Sequence, residues 1–168
     1  MIKMNKLKIF LVFLLSIIIQ IAIIPNFRIF NVTANMTIAF IVAVAMNFGS
    51  YFAGYSAIVM GLIEDMLFSQ VIGIKALIYY IIGFLVGYNE DSINKGDIRS
   101  GCIITAIATV FYWILNTIIY MIIGNFNYLT IFSYFKSSII IEIILNILLY
   151  IASHYLLKKI FKKKKFRF

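Results

Sequence analysis

Two adjacent carboxylates, Glu64 and Asp65, lie in the otherwise almost wholly apolar stretch GLIEDMLFSQVIG. They make up a third of the six acidic residues of the chain. Paired carboxylates can bind a cation or transfer protons, and they can also form an ion pair at the end of a helix. Lys75 follows early in the next apolar segment and is a candidate counter-ion for either carboxylate. Which of these roles applies depends on where the residues lie relative to a membrane.

The composition places the chain in the class of membrane-integral proteins. Of its 168 residues, 64% are hydrophobic and 12% are charged, and the mean hydropathy is +1.04. Too little polar surface is available to cover a soluble core. A spanning helix needs about 20 apolar residues, so this length accommodates about five or six spans and no soluble catalytic domain. A single cysteine, Cys102, excludes an internal disulfide, and a single histidine, His154, argues against a zinc site formed by the protein alone.

The chain contains five apolar regions, one of which is too long for a single span. Residues 33–63 would form a helix of about 46 Å, whereas the hydrocarbon core is about 30 Å thick. The sequence Asn47-Phe48-Gly49-Ser50 is a candidate tight turn that divides this region into two helices. The N-terminal run is too long for a signal peptide and has no small-residue cleavage site, so we expect an uncleaved span. The chain is therefore predicted to be one all-α membrane domain with spans at about 8–24, 33–47, 50–67, 73–88, 101–124 and 135–157, followed by a basic tail at 158–168.

The basic residues orient the six predicted spans. If the N-terminus is cytoplasmic, all but three of the fifteen Lys and Arg residues lie on the cytoplasmic side, the exceptions being Arg28, Lys75 and Lys136. A five-span arrangement would export the tail KKIFKKKKFRF, contrary to the positive-inside rule. Both termini are therefore expected to be cytoplasmic. The tail either anchors this topology or senses anionic lipid, and nucleic-acid binding is not expected because the basic charge lies mostly against lipid.

Small residues form one face of the third predicted span, which ends in a carboxylate. Such residues let helix backbones approach closely within a membrane. Glu64 lies about 100° further round the helix and is expected to have an easier route to water. Asp65 then belongs to an interfacial helix end with a salt bridge to Lys75, or it is a structural pin for a functional turn. The small-residue face consists of Ser50, Gly54, Ala57, Gly61 and Asp65.

Polar residues also form stripes in the last two predicted spans. Asn116 and Glu142 are expected at similar depth in the outer half of the bilayer, because the two spans are antiparallel and joined by a short loop. An ionisable group at that depth indicates interhelical hydrogen bonding, or else a polar cavity or partner site. His154, near the cytoplasmic face, is expected to be a solvated interfacial side chain. The stripes are Thr105, Thr109, Tyr112, Asn116 and Tyr120 in the fifth span, and Ser138, Glu142, Asn146, Tyr150 and His154 in the sixth.

The same residues allow an outward-facing pocket. Gln20 and Thr37 also fall towards the outer side and, with Asp65, Asn116 and Glu142, could line it. Such a pocket would suit a solute-binding subunit, and it would equally suit a groove that receives a partner's transmembrane or juxtamembrane segment. The sequence leaves both open. A third alternative, an ion or proton carrier, would rest on Glu142 as its one deeply placed carboxylate.

The residues that follow the small-residue face resemble those of a known family. The pattern reads Gly61-Leu62-x-x-Asp65, then Gly73-x-x-Ala76-Leu77, then an aromatic-rich span with Gly83 and Gly87. This pattern is similar to the elements of the rod shape-determining protein MreD family, and the size and the basic tail are similar too. The resemblance implies a fold like that of the substrate-binding subunits of energy-coupling-factor vitamin transporters.

The resemblance also implies a non-enzymatic component of the bacterial cell-elongation machinery in the inner membrane, without a cofactor. Its expected partners are MreC, the actin-like MreB filament, and the RodA glycosyltransferase with its class B penicillin-binding partner. The expected function is a scaffold that holds MreC and the peptidoglycan-synthesis enzymes in one complex. The alternative is a vitamin-binding subunit of an energy-coupling-factor transporter. The residues expected to matter most are Gly54, Ala57, Gly61, Asp65, Asn116 and Glu142.

Overall fold

The computed structural model describes the backbone of residues 6–88, 97–123 and 128–160, and the side chains of residues 11–88, 97–123 and 138–160. Within these residues the chain is all-helical, apart from an isolated bridge between Ile29 and Val32. The first helix continues through a π-helical turn, Ile19–Ile23, and a 3₁₀ turn, Ile24–Asn26. The α-helices are α1 (Lys6–Ile18), α2 (Met36–Phe48), α3 (Ser50–Phe68), α4 (Ile74–Tyr88), α5 (Ile98–Ile123) and α6 (Tyr128–Ile160).

Three helical segments are long and apolar enough to cross a membrane by themselves, namely Ser50–Phe68, Ile98–Ile123 and Ser138–Ile160. The apolar segments of α1, α2 and α4 are shorter. The 13 residues of α2 extend over about 20 Å, whereas the hydrocarbon core is about 30 Å thick. The described helices are those of a membrane protein, and six spans remain a prediction.

α2 is the central helix of the bundle, because its residues are apolar on almost every side. Every residue from Met36 to Met46 is buried, and the helix packs against α3, α4, α5 and α6. At its beginning the Asn35 side chain accepts a hydrogen bond from the Ile38 N–H (3.1 Å) and caps the helix. At its end Gly49 has a φ of 87°, which lets the chain reverse directly into α3. The predicted turn between the second and third segments is thereby confirmed.

α3 and α4 approach each other most closely where glycines lie in their contact. A Cβ on Gly61 would overlap the backbone of Ala76, and a Cβ on Gly87 would overlap the backbone of Ser50. Ala57, between these two points, is fully buried. Direct backbone contact is the arrangement that small residues permit between helices in a membrane. The predicted small-residue face of α3 therefore packs against α4 of the same chain.

Two segments outside the predicted spans lie only partly within the described residues. The connection between the predicted spans at 73–88 and 101–124 is described from Asp97, whose carboxylate accepts a hydrogen bond from the Arg99 N–H (3.1 Å) at the beginning of α5. The basic tail at 158–168 is described as far as Ile160, in the last turn of α6. The anchor and lipid-sensor hypotheses depend on residues of the tail that lie outside the described part.

Replacing Gly61 with alanine should destabilise the bundle strongly, because the new Cβ fits only if α3 and α4 move apart. Overpacking of this kind costs about 1–3 kcal/mol or more. Gly54→Ala is the matched control, since its Cβ would meet only the flexible Tyr80 ring, at 3.0 Å. We expect a clear fall in the thermal unfolding midpoint of the detergent-purified protein for Gly61→Ala and a small change for Gly54→Ala. Equal effects would contradict the close approach of the two backbones.

Candidate functional site

Glu64 is the centre of a buried set of hydrogen bonds near one end of the bundle. Its Oε1 accepts a hydrogen bond from the Thr37 hydroxyl of α2, and its Oε2 accepts one from the Tyr79 hydroxyl of α4 (3.0 Å). The Lys75 ammonium lies 3.9 Å from Oε2. Only 4% of Glu64 is exposed, so the predicted route to water is wrong. The first turn of α2 and the side of α4 cover this part of α3, which the position of Glu64 on its own helix does not reveal.

Asn35 extends these hydrogen bonds to α6. Its side-chain Nδ2 donates to the Tyr79 hydroxyl (2.9 Å), and its backbone N–H donates to Oδ1 of Asn146 (2.6 Å). The Asn146 side chain in turn donates from Nδ2 to the Thr109 hydroxyl of α5 (3.0 Å). Thr109 then donates to the Thr105 carbonyl (2.8 Å) on its own helix. One asparagine at the beginning of α2 therefore connects α4 with α6.

A continuous chain of hydrogen bonds joins five of the helices, α2 to α6. We call it the polar network and define it as Asn35, Thr37, Glu64, Tyr79, Thr109 and Asn146, all of which are buried. In a low-dielectric interior each of these groups would be costly without a partner. Hydrogen bonds are directional, so the network fixes how the helices are positioned along one another as well as holding them together.

Asp65 binds the beginning of α4 rather than the polar network. Its Oδ2 accepts hydrogen bonds from the backbone N–H groups of Gly73 (2.9 Å) and Lys75 (3.0 Å), and its Oδ1 accepts one from the Ser69 hydroxyl (2.8 Å). The side chain is fully buried. A carboxylate at this position satisfies N–H groups that the helix cannot pair itself and complements the positive end of its dipole. Asp65 thus holds the α3–α4 turn, and a function of this turn remains a prediction.

Lys75 serves both neighbouring carboxylates in different ways. Its ammonium lies near Glu64, and its backbone N–H binds Asp65. The ammonium also lies 5.9 Å from the centre of the Phe68 ring at the end of α3. The sequence suggested Lys75 as a counter-ion for either carboxylate, and the structure assigns its charge to Glu64.

Most of the residues expected to line an outward-facing pocket make hydrogen bonds within the bundle instead. Gln20 accepts a hydrogen bond through Oε1 from the Met36 N–H (2.8 Å) at the beginning of α2, and Thr37 and Asp65 have the partners given above. Glu142 is buried on α6, one helical turn from Asn146 of the polar network. Asn116 is half-buried on α5. A shared role for Asn116 and Glu142 remains a prediction.

His154 is fully buried, so its predicted solvated position is wrong. Its Nδ1 lies 3.4 Å from the Tyr150 hydroxyl, and its ring also contacts the ring of Tyr155. The physical reason is that this part of α6 is covered by other helices: Tyr150, one turn before His154, lies against Gly101 of α5, and the buried positions continue to Leu157. Proximity to the end of a helix therefore did not imply access to water.

Sequence reasoning also missed the polar network. Tyr79 and Asn35 were not singled out, because a tyrosine in an aromatic-rich span and an asparagine before a helix are common. One signal was available: Thr37, Glu64 and Asn146 are polar residues in three mostly apolar segments, and polar side chains in such segments tend to bind one another. The sequence could not show which of them meet, since the partners are far apart along the chain.

The chemistry of these groups is that of helix-to-helix binding. Among the described residues there is no group of three or more His, Cys, Asp and Glu side chains that could hold a metal ion. Glu64 and Asp65 receive their hydrogen bonds from hydroxyl groups and backbone amides of the protein itself. The fold and the site define an all-helical membrane protein in which buried ionisable groups position the helices.

The comparison with protein families agrees with this class. Residues 1–160 match the family model described as rod shape-determining protein MreD. The chain therefore belongs to the MreD family, and the resemblance seen around Asp65 extends over nearly the whole sequence. No curated protein and no solved structure matched the chain. The membership connects the protein with the determination of rod shape.

Asp65→Ala should destabilise the protein by about 3 kcal/mol, because several N–H groups at the beginning of α4 lose a charged acceptor. Ser69→Ala is the control, since it removes only one hydroxyl donor to Asp65 and is expected to cost about 1 kcal/mol. Unfolding of the purified protein in bicelles with increasing denaturant would measure both values. If Asp65→Ala lowers the free energy of unfolding no more than Ser69→Ala does, the cap of α4 contributes little to stability.

Tyr79→Phe should cost about 1–3 kcal/mol, because the amide of Asn35 and the carboxylate of Glu64 would both lose a buried partner. Tyr80→Phe is the matched control on the next residue of the same helix, where the side chain is 38% exposed. We expect a lower unfolding midpoint for Tyr79→Phe and an almost unchanged midpoint for Tyr80→Phe. If both variants unfold like the unmodified protein, the polar network does not stabilise the bundle.

Proposed function

We propose that the protein is a non-catalytic membrane scaffold of the bacterial cell-elongation complex. In this role it holds MreC and the peptidoglycan-synthesis enzymes together and thereby maintains cell shape. Membership of the MreD family gives the biological context. The observation that carries the proposal is the polar network, in which Glu64 binds residues of the protein's own helices. Such an arrangement makes a bundle of fixed shape, and a fixed shape is what a scaffold must present to its partners.

The proposed topology has six spans with both termini in the cytoplasm. The distribution of Lys and Arg supports it through the positive-inside rule. The short α2 is compatible with six spans, because every residue from Met36 to Met46 is covered by protein. A helix surrounded by other helices need not match the full thickness of the hydrocarbon core.

The residues proposed to matter fall into two groups. Gly54, Ala57 and Gly61 face α4, so they act on assembly by setting the shape of the bundle. Asp65 acts in the same way through the α3–α4 turn. Asn116, half-buried on α5, and Glu142, buried on α6, are proposed to act through binding of a partner or through packing of these two helices. MreC is the proposed direct partner, with MreB, RodA and a class B penicillin-binding protein as further members of the complex.

Binding of a vitamin, as in an energy-coupling-factor transporter, is the alternative function. It needs polar groups that are available to a ligand on the outer side of the membrane. Gln20, Thr37 and Asp65 were candidates, and each is hydrogen-bonded inside the bundle. We therefore favour the scaffold function. Capture of a transporter's ATPases in the crosslinking experiment below would instead support the vitamin-binding function.

Crosslinking of the tagged protein in its own membranes, followed by mass spectrometry, tests the scaffold. We expect MreC in the captured material, together with RodA or a penicillin-binding protein. Gly61→Leu should reduce the capture of MreC several-fold, because the larger side chain forces α3 away from α4. Glu64→Gln should reduce it less, since the side chain keeps its shape and can still accept a hydrogen bond.

Two results would contradict these expectations. Equal capture of MreC by Gly61→Leu and Glu64→Gln would contradict the link between helix packing and assembly. Capture of ATPases and a transmembrane coupling subunit, without MreC, would replace the scaffold with a transporter function. Comparable amounts of each variant in the membrane must be verified by immunoblot, so that reduced capture is not caused by reduced abundance.

A further inference from the structure

The connection between α1 and α2 is a tight hairpin with an unusual backbone. Ile29 and Val32 bind each other through two backbone hydrogen bonds, of 3.0 and 2.9 Å. The two residues between them, Phe30 and Asn31, have φ values of 51° and 62°. Positive φ at both central positions is the conformation of a type I′ turn. Val32 is fully buried and fixes the base of the hairpin to the bundle.

Phe30 is a costly residue at its position in this turn. A positive φ suits glycine and asparagine, whereas a bulky side chain is strained there. Packing of the ring inside the protein does not offset this strain, because 83% of Phe30 is exposed. Glycine would form the same turn with less strain. The benefit of the aromatic ring must therefore come from contacts outside the chain.

The neighbours of Phe30 have the same character. Phe27 is 70% exposed and Ile29 is 47% exposed, and Arg28 between them is also exposed. We call residues 27–31 the hairpin tip. Aromatic and aliphatic side chains next to a cation are the composition found where a protein meets the boundary between lipid tails and headgroups.

The position of the hairpin tip agrees with that boundary. Gln20 binds the N–H of Met36, so the two residues lie at one level, and α2 extends from there for about 20 Å. In the other direction the chain rises through the π-helical and 3₁₀ turns to Phe27, by about 10 Å. The sum matches the thickness of a hydrocarbon core, about 30 Å. The opposite end carries the exposed Tyr51 and Tyr88, which are typical of the other boundary.

We propose that the hairpin tip inserts into the lipid interface at its end of the bundle. The rings of Phe27 and Phe30 lie among the outermost parts of the acyl chains, and the guanidinium of Arg28 binds lipid phosphate groups. A protein partner is the less suitable occupant, because five residues supply far less than the roughly 800 Å² that each side of a stable protein interface buries. The strained turn keeps the aromatic side chains pointing out of the bundle.

Fluorescence in vesicles tests this contact directly. The only tryptophan, Trp113, is replaced by phenylalanine, and Phe30→Trp is introduced as the reporter. The protein is reconstituted alone into phosphatidylcholine and phosphatidylglycerol vesicles, with bromine either near the headgroup or near the middle of the acyl chain. We expect the reporter to be quenched at least twofold more by the shallow bromine. Leu148→Trp is the matched control, since this exposed α6 residue lies close to the level of Asn146 and should respond more to the deep bromine.

A reporter that is quenched by aqueous iodide but by neither brominated lipid would overturn the proposal.

A second variant separates lipid contact from folding. Phe30→Gly should unfold in detergent at the same midpoint as the unmodified protein or above it, because strain is relieved. With Phe27→Trp as reporter, Phe30→Gly should reduce shallow quenching at least twofold. A lower midpoint with unchanged quenching would instead show that Phe30 packs on the protein. These vesicles contain no partner protein, so the outcome is independent of the scaffold function.

Discussion

The fold depends on the way in which the buried carboxylates find hydrogen-bond donors. In an apolar medium a carboxylate is tolerated only if nearby groups take over the role of water. Glu64 receives its donors from α2 and α4, and Asp65 receives its donors from the turn that begins α4. Neighbouring residues in sequence thus perform different tasks, since one joins three helices and the other ends one helix and starts the next.

These hydrogen bonds work because glycines bring the helices close enough. The polar side chains of α3 can reach their hydrogen-bond donors on α4 only when the two helix backbones nearly touch, as they do at Gly61 and Ala76. Gly61 lies one helical turn before Asp65, so close approach and capping occur at the same part of the contact. The glycine and aspartate of the Gly61-Leu62-x-x-Asp65 pattern are therefore parts of a single structural element. That connection gives a physical reason for the spacing of the motif.

Much of the architecture could be predicted from the sequence, and the site only in part. Hydropathy and the Asn47–Ser50 turn identified the helical segments, and the small-residue face placed Asp65 against the protein. Glu64 and His154 were misplaced, because a helical pattern describes one helix and says nothing about the helices that cover it. Asn35 could not have been chosen, since its role comes from Tyr79 and Asn146, which are distant in sequence.

The two halves of the chain have different structural tasks. The half with the family motif contains α2, which is buried on all sides, and the closely packed α3 and α4. In α5 the buried residues are Gly101, Thr105, Ala108 and Thr109, all on one side of its first half, and isoleucines such as Ile107 and Ile122 are 63% and 79% exposed. The polar network joins α5 to the rest through Thr109 and Asn146. A closely packed half is therefore joined to a half in which α5 exposes a broad apolar surface.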